Sequence, residues 1–148
     1  MNQPTAFLFD LDGVIVDTAV FHYQAWRRLA NELGFDISHE FNETLKGVSR
    51  SVSKNARLIL ERIGMLGDFD AIIDGTKITR GKPDPEVFLN GAAELNVAPA
   101  HCVVFEDAVA GIEAGKRAGM RTVGLGSPDV LTEADVVLPS LENITVTE

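Results

Sequence analysis

Ala6-Phe7-Leu8-Phe9-Asp10-Leu11-Asp12-Gly13 is the stretch that decides the fold. Its apolar run is short and aromatic, which favours a buried strand ending at Asp10. Strand-like geometry through Asp10-Leu11-Asp12 points both carboxylates the same way. One could attack phosphorus while the other moves a proton. Gly13 lets the backbone turn sharply just after them. A capping loop and the opening of a calcium loop are the alternatives. A calcium loop needs a third acid or Asn before its glycine. Here Gly13 directly follows Asp12, so the calcium reading fails.

A second acidic pair, Glu106-Asp107, follows the apolar run Cys102–Phe105, another expected strand. Carboxylates converging on one spot repel each other unless a cation sits between them. Hard oxygen ligands, few in number, suit Mg²⁺. Lys82 lies in Gly81-Lys82-Pro83-Asp84-Pro85, a loop before a Pro-led helix. A lysine there can neutralise phosphate and aspartate together, although most lysines are ordinary surface residues.

The rest of the chain supplies the frame. Asp17 or Thr18 can cap a helix running to about Leu33, with Phe21, Ala25, Leu29 and Leu33 on one face and Gly34 as its stop. His22 and Trp26 share a neighbouring face. His22 is a candidate proton shuttle, and Trp26 either stacks on a sugar or packs. Asn42–Leu45 starts a second helix, broken by Gly47. Ser53 can cap a helix through about Ile63. Phe69–Ile73 reads as a strand, Glu86–Leu95 as a helix, Ala108–Ala118 as a helix rich in small residues, and Arg121–Leu125 as a strand. Val136–Leu138 is a last short strand. Alternation from residue 65 onward predicts an α/β fold, a Rossmann-like parallel sheet with flanking helices. Ligands in such sheets bind beyond the carboxyl ends of the strands, where the two acidic pairs lie.

Two further loops can bind anions. Ser51-Val52-Ser53-Lys54-Asn55 precedes a helix, and free N–H groups there make a phosphate cradle; plain capping by Ser53 is the alternative. Lys46 and Arg50, flanking Gly47-Val48-Ser49, could grip a second phosphate, unless the loop is merely solvated.

Bulk properties bound the remaining choices. The sequence has 148 residues, 45% of them hydrophobic, which suits one globular domain. A formal charge of −9 disfavours nucleic acid and anionic membrane as partners. No apolar run approaches the ~20 residues of a membrane span, and the opening residues lack the basic start of a signal peptide. Cys102 is the single cysteine, which excludes an internal disulfide and suits a reducing cytoplasm. It is expected to be inert packing.

Together, Asp10-Leu11-Asp12-Gly13-Val14, Ser51 in Ser-Val-Ser-Lys-Asn, Lys82 in Gly-Lys-Pro-Asp-Pro, and Glu106-Asp107 resemble the core motifs of the haloacid dehalogenase superfamily, in that family's order. Thr18, His22, Trp26 and the stretch Phe41–Arg50 are similar to the β-phosphoglucomutase family within it. The resemblance implies a phosphoaspartate on Asp10, with Asp12 as general acid and base. It implies Mg²⁺ on Asp10, the backbone carbonyl of Asp12 and Asp107, with Glu106 nearby. Ser51 and Lys82 would hold the transferring phosphate, and Arg50 the distal one. Thr18, His22, Trp26, Lys46, Gly47, Val48, Ser49, Val52, Ser53, Lys54 and Asn55 would complete the substrate site. The implied reaction interconverts β-glucose 1-phosphate and glucose 6-phosphate through a bisphosphate.

Residues 1–15 and 51–148 would form the catalytic core, and 16–50 the remnant of a helical cap. In the family, most of the cap, a core helix and a strand separate the positions of Arg50 and Ser51, which are adjacent here. Segments joined across missing residues, a deletion variant, and a minimal form exchanging elements with a partner copy are the three explanations. The match on both flanks favours the first. A sugar-phosphate phosphatase and a non-catalytic phosphosugar-binding remnant are the competing functions. A monomer is expected, or a swapped oligomer if the deletion is real.

Overall fold

The computed structural model describes residues 5–15 and 56–142. Its centre is a four-stranded, wholly parallel sheet, ordered β1 (Ala6–Phe9), β2 (Cys102–Glu106), β3 (Arg121–Leu125) and β4 (Val136–Leu138). Parallel neighbours cannot be joined by a tight turn. Between β2 and β3 the crossover is helix α3 (Val109–Arg117); helices α1 (Ala56–Arg62) and α2 (Glu86–Glu94) lie between β1 and β2 in the chain.

The register explains which residues go inside. Ala6 pairs with Cys102 and Leu8 with Val104, so these four share one face of the sheet. That face carries the core, in which Ala6, Phe88, Ala92, Cys102, Val104, Ala114, Ala118 and Met120 cluster. Phe88 and Ala92 come from α2; Ala114 comes from α3 and Ala118 from its C-cap. Small residues on α3 permit close approach to the strands. A Cβ on Gly115 would stand 2.8 Å from Thr122 Cγ2. Cys102 is buried in this core, and burial pushes its thiol pKa up, as inert packing requires.

The opposite face shows Phe7, Phe9 and Phe105. Phe9 and Phe105 stack at 4.6 Å between ring centroids, and Phe7 tilts against Phe105 at 6.0 Å. Phe69 meets Phe9 edge-on at 6.3 Å.

One expected strand does not form. Phe69 has extended backbone angles, φ −112° and ψ 127°, but Phe69–Ile73 joins no ladder among the described residues. The segment reaches the sheet through the Phe69 ring instead, and the Ile72 carbonyl accepts from the Lys77 ammonium at 3.0 Å. A strand exists only where a neighbouring backbone pairs with it, and none of the described residues does so. A 3₁₀ turn at Leu66–Asp68 precedes it, and another at Pro99–His101 leads into β2. The other expected bounds that fall within the described residues are met to within one or two residues; the expected start of α1 at Ser53 lies outside them.

Asp135 fastens the last strand. Its carboxylate accepts the Thr122 N–H at 2.8 Å and the Thr122 hydroxyl at 3.1 Å, and it pairs with Lys116. Thr122 is fully buried. Asp135→Ala should therefore cost about 1–3 kcal/mol, the penalty of leaving buried donors unsatisfied. Partial burial pushes the Asp135 carboxyl up, but hydrogen bonds from Lys116 and Thr122 outweigh it and hold it below the ordinary 3.8. A carboxyl lowered on folding stabilises above its unfolded value and loses that contribution as pH falls through the folded one. The difference in urea midpoint between the wild type and Asp135→Ala should be full at neutral pH and shrink below about pH 3.8.

Candidate active site

The β1–β2 register places the acids. Phe9 pairs with Phe105, so Asp10 and Glu106 stand side by side one step further along. The Asp10 N–H continues the ladder, donating to the Phe105 carbonyl at 3.0 Å. This is the carboxyl end of the parallel sheet.

Lys82 closes the group from the loop before α2. Its ammonium lies 2.8 Å from Asp10 Oδ1 and pairs with Glu106 Oε1. It also sits over the Phe88 ring, 5.2 Å from the centroid. Glu106 is fully buried, and its second oxygen accepts the N–H groups of Asp107 at 3.0 Å and Ala108 at 3.1 Å. A buried charge needs such partners.

Electrostatics bind the pair tightly. Burial alone would lower the Lys82 pKa, but the charges of Glu106 and Asp10 hold it above the ordinary lysine range. Burial, then the charge of Asp10, pushes Glu106 well above the usual carboxylate range, and Lys82 pulls it part of the way back.

Two glycines make room for these side chains. Gly13 has φ +78°, and a Cβ there would stand under 3.0 Å from the Asp107 carboxylate. A Cβ on Gly111, in the first turn of α3, would meet the Glu106 carboxylate within the same limit. At such separations the neighbour must shift.

Carboxylate oxygens of Asp10, Glu106 and Asp107 all lie within 4.8 Å of one another. Lys82 pairs with two of these acids, Asp10 and Glu106. The donors are hard oxygens, and Asp10 is only part-buried. The set fits a small divalent cation that keeps some of its waters.

The structure thus brings together Asp10, Lys82 and the adjacent pair Glu106-Asp107 from three separate places in the chain. Asp12, a β-bridge residue two positions after Asp10, has a carboxylate outside the acidic group. Its expected metal contact was through the backbone carbonyl. Thr18, His22, Trp26, Lys46, Gly47, Val48, Ser49, Arg50, Ser51, Val52, Ser53, Lys54 and Asn55 lie outside the described residues. Gly111 was not anticipated. The only local signal was a glycine inside a helical pattern, which costs stability relative to alanine and so hints at a packing reason.

A parallel α/β sheet with convergent acids and a part-buried lysine beyond its strand ends defines an enzyme core with a cation-competent site. The haloacid dehalogenase-like hydrolase model matches residues 48–119. Among curated proteins, the β-phosphoglucomutase of Bacillus subtilis is 32% identical over 95% of this chain and 92% of its own length. Hexitol phosphatase A of Escherichia coli is 43% identical over 53% of this chain, which spans 38% of that protein. A crystal structure of a β-phosphoglucomutase from Clostridium difficile superposes with a TM-score of 0.88 at 33% identity, covering 97% of this chain and 94% of that one. The chain belongs to the haloacid dehalogenase-like hydrolase family, and is an enzyme of its phosphotransferase and hydrolase type.

The match to the Bacillus protein runs over 207 positions, while this chain has 148 residues, so at least 59 of those positions are filled by the relative alone. No helix among the described residues is long and apolar enough to cross a membrane.

Proposed function

We propose that this chain is a β-phosphoglucomutase, interconverting β-D-glucose 1-phosphate and glucose 6-phosphate. The observation that carries the reading is the contact of Lys82 with both Asp10 and Glu106 at the strand ends, in a chain whose similarity to a β-phosphoglucomutase covers 95% of its length.

Asp10 is the nucleophile. Its free carboxylate oxygen forms a bond to phosphorus as the bond from phosphorus to the sugar oxygen breaks. Asp12 gives that oxygen its proton, then takes one from the hydroxyl that next attacks the phosphoaspartate. Each transfer is one of two easier displacements. Lys82 stays charged throughout and offsets negative charge on the transferring group. Asp10, the Asp12 carbonyl and Asp107 would hold Mg²⁺, which supplies charge neutralisation to the phosphoryl oxygens. Ser51 holds the same phosphate, and Lys46 and Arg50 the distal one. Thr18, His22 and Trp26 contribute to binding the sugar, and the enzyme works in the cytoplasm as a monomer.

A phosphatase of the same family is the second reading, and the shortfall of at least 59 positions favours it. We place that missing block at the Arg50–Ser51 junction, where it would remove most of the cap together with a core helix and strand. A short cap excludes water poorly, and water then competes with the sugar as acceptor. The two readings part in one assay. β-Glucose 1-phosphate, a trace of glucose 1,6-bisphosphate and Mg²⁺ are supplied, and both products are followed. Glucose 6-phosphate formed faster than free phosphate supports the mutase. Phosphate released faster than glucose 6-phosphate selects the phosphatase, and neither product from folded protein overturns both.

A further inference from the structure

Lys82 reaches its partners from a loop, and the loop is fastened at both ends to one residue. Glu86, at the start of α2, accepts the Thr79 N–H at 2.9 Å and the Arg80 N–H at 2.7 Å. Its two oxygens also accept from the Thr79 hydroxyl, at 3.1 and 3.0 Å. At the other end, the Glu86 N–H donates to Asp84 Oδ1 at 3.0 Å. Within the loop the Asp84 N–H donates to the Gly81 carbonyl at 3.1 Å. Lys82 stands between these anchors. Two residues after Glu86, Phe88 sits in the core beneath the Lys82 ammonium.

We infer that Glu86 is a positioning residue for phosphoryl transfer: its carboxylate fixes the Thr79–Asp84 loop on α2 and so sets where the Lys82 ammonium stands. This rests on the transfer chemistry proposed above. The Thr79 and Arg80 amides hold the Glu86 carboxyl below its ordinary range, so the clasp stays charged at neutral pH. Side-chain entropy opposes Lys82's single geometry, and the loop's two anchors reduce the freedom that must be lost. A catalytic group misplaced by about 1 Å can lose on the order of 100-fold in rate.

The test is a double-mutant cycle read by turnover and by binding of orthovanadate, a phosphoryl mimic, with Mg²⁺ present. Glu86→Ala should lower kcat by roughly 10- to 100-fold with a much smaller change in KM. It should weaken orthovanadate binding and speed amide exchange at Thr79 and Arg80. Glu86→Gln keeps one acceptor oxygen and should recover part of each loss. In a Lys82→Ala background, Glu86→Ala should add almost nothing, because the lysine it positions is gone. A merely stabilising role would lower the melting temperature and leave kcat, orthovanadate affinity and the cycle unmoved; that result overturns the inference. So does a full, multiplicative loss in the Lys82→Ala background. Absence of turnover in the wild type would remove the mutase and phosphatase readings, while the orthovanadate arm still decides the role of Glu86.

Discussion

Asp10→Asn should abolish phosphoryl transfer, by on the order of 10⁴- to 10⁶-fold, the range seen when a covalent nucleophile is removed. The substitution keeps the size and shape of the side chain, and the ladder bond from the residue 10 N–H to the Phe105 carbonyl is untouched. What it removes is the charged oxygen that would bond to phosphorus. Lys82 still has Glu106 as a partner, so its ammonium is not left buried alone. Fold and chemistry therefore separate in this variant. Circular dichroism and the denaturation midpoint should resemble the wild type, while glucose 6-phosphate and phosphate both fail to appear. Undiminished turnover by a folded Asp10→Asn protein would mean that another group attacks phosphorus.

Gly111→Ala should damage both stability and activity. The added Cβ would occupy space now held by the Glu106 carboxylate. Glu106 has little room to yield. One oxygen is paired with Lys82, and the other accepts from the Asp107 and Ala108 amides. Overpacking costs about 1–3 kcal/mol, and separating a buried ion pair about 3–5 kcal/mol. A loss of roughly 3 kcal/mol or more in urea unfolding is expected. Activity should fall as well, because Lys82 leans on the displaced carboxylate. Gly67→Ala is the control: nothing lies within 4 Å of a Cβ there, so the change should stay within about 0.5 kcal/mol. Equal stability of the two variants would show that the Glu106 seat is softer than its hydrogen bonds imply.

Much of this architecture was legible in the chain, for a local reason. β1 and β2 are apolar runs that stop at acids; β2 is buried on both faces, as such a run implies, while Phe7 and Phe9 of β1 are exposed. The helix over Glu86–Glu94 carries its own start signal in Pro83 and Pro85. The convergence of Asp10, Lys82, Glu106 and Asp107 came from strand ends and family motifs. Phe69–Ile73 failed because its composition is that of a strand, while strand formation depends on a neighbour that no local pattern supplies. Gly111 and Glu86 were missed for a related reason. Their roles lie in what they leave vacant or what they hold, and both depend on loops and helices being packed together. Lys82 seemed weak evidence alone, since a single lysine in a loop says nothing about burial.

The pairing of Phe9 with Phe105 carries a consequence for how this chain can change length. The step that puts Asp10 beside Glu106 also decides that Leu8 faces the helices and Phe9 faces away. Adding or removing one residue within Ala6–Phe9 would turn the inner face outward and pull the two acids apart in the same event. Loops such as Gly126–Asp135 answer to neither requirement so directly. Evolution is therefore free to lengthen or shorten the periphery, while these few residues can be exchanged for others but not counted differently.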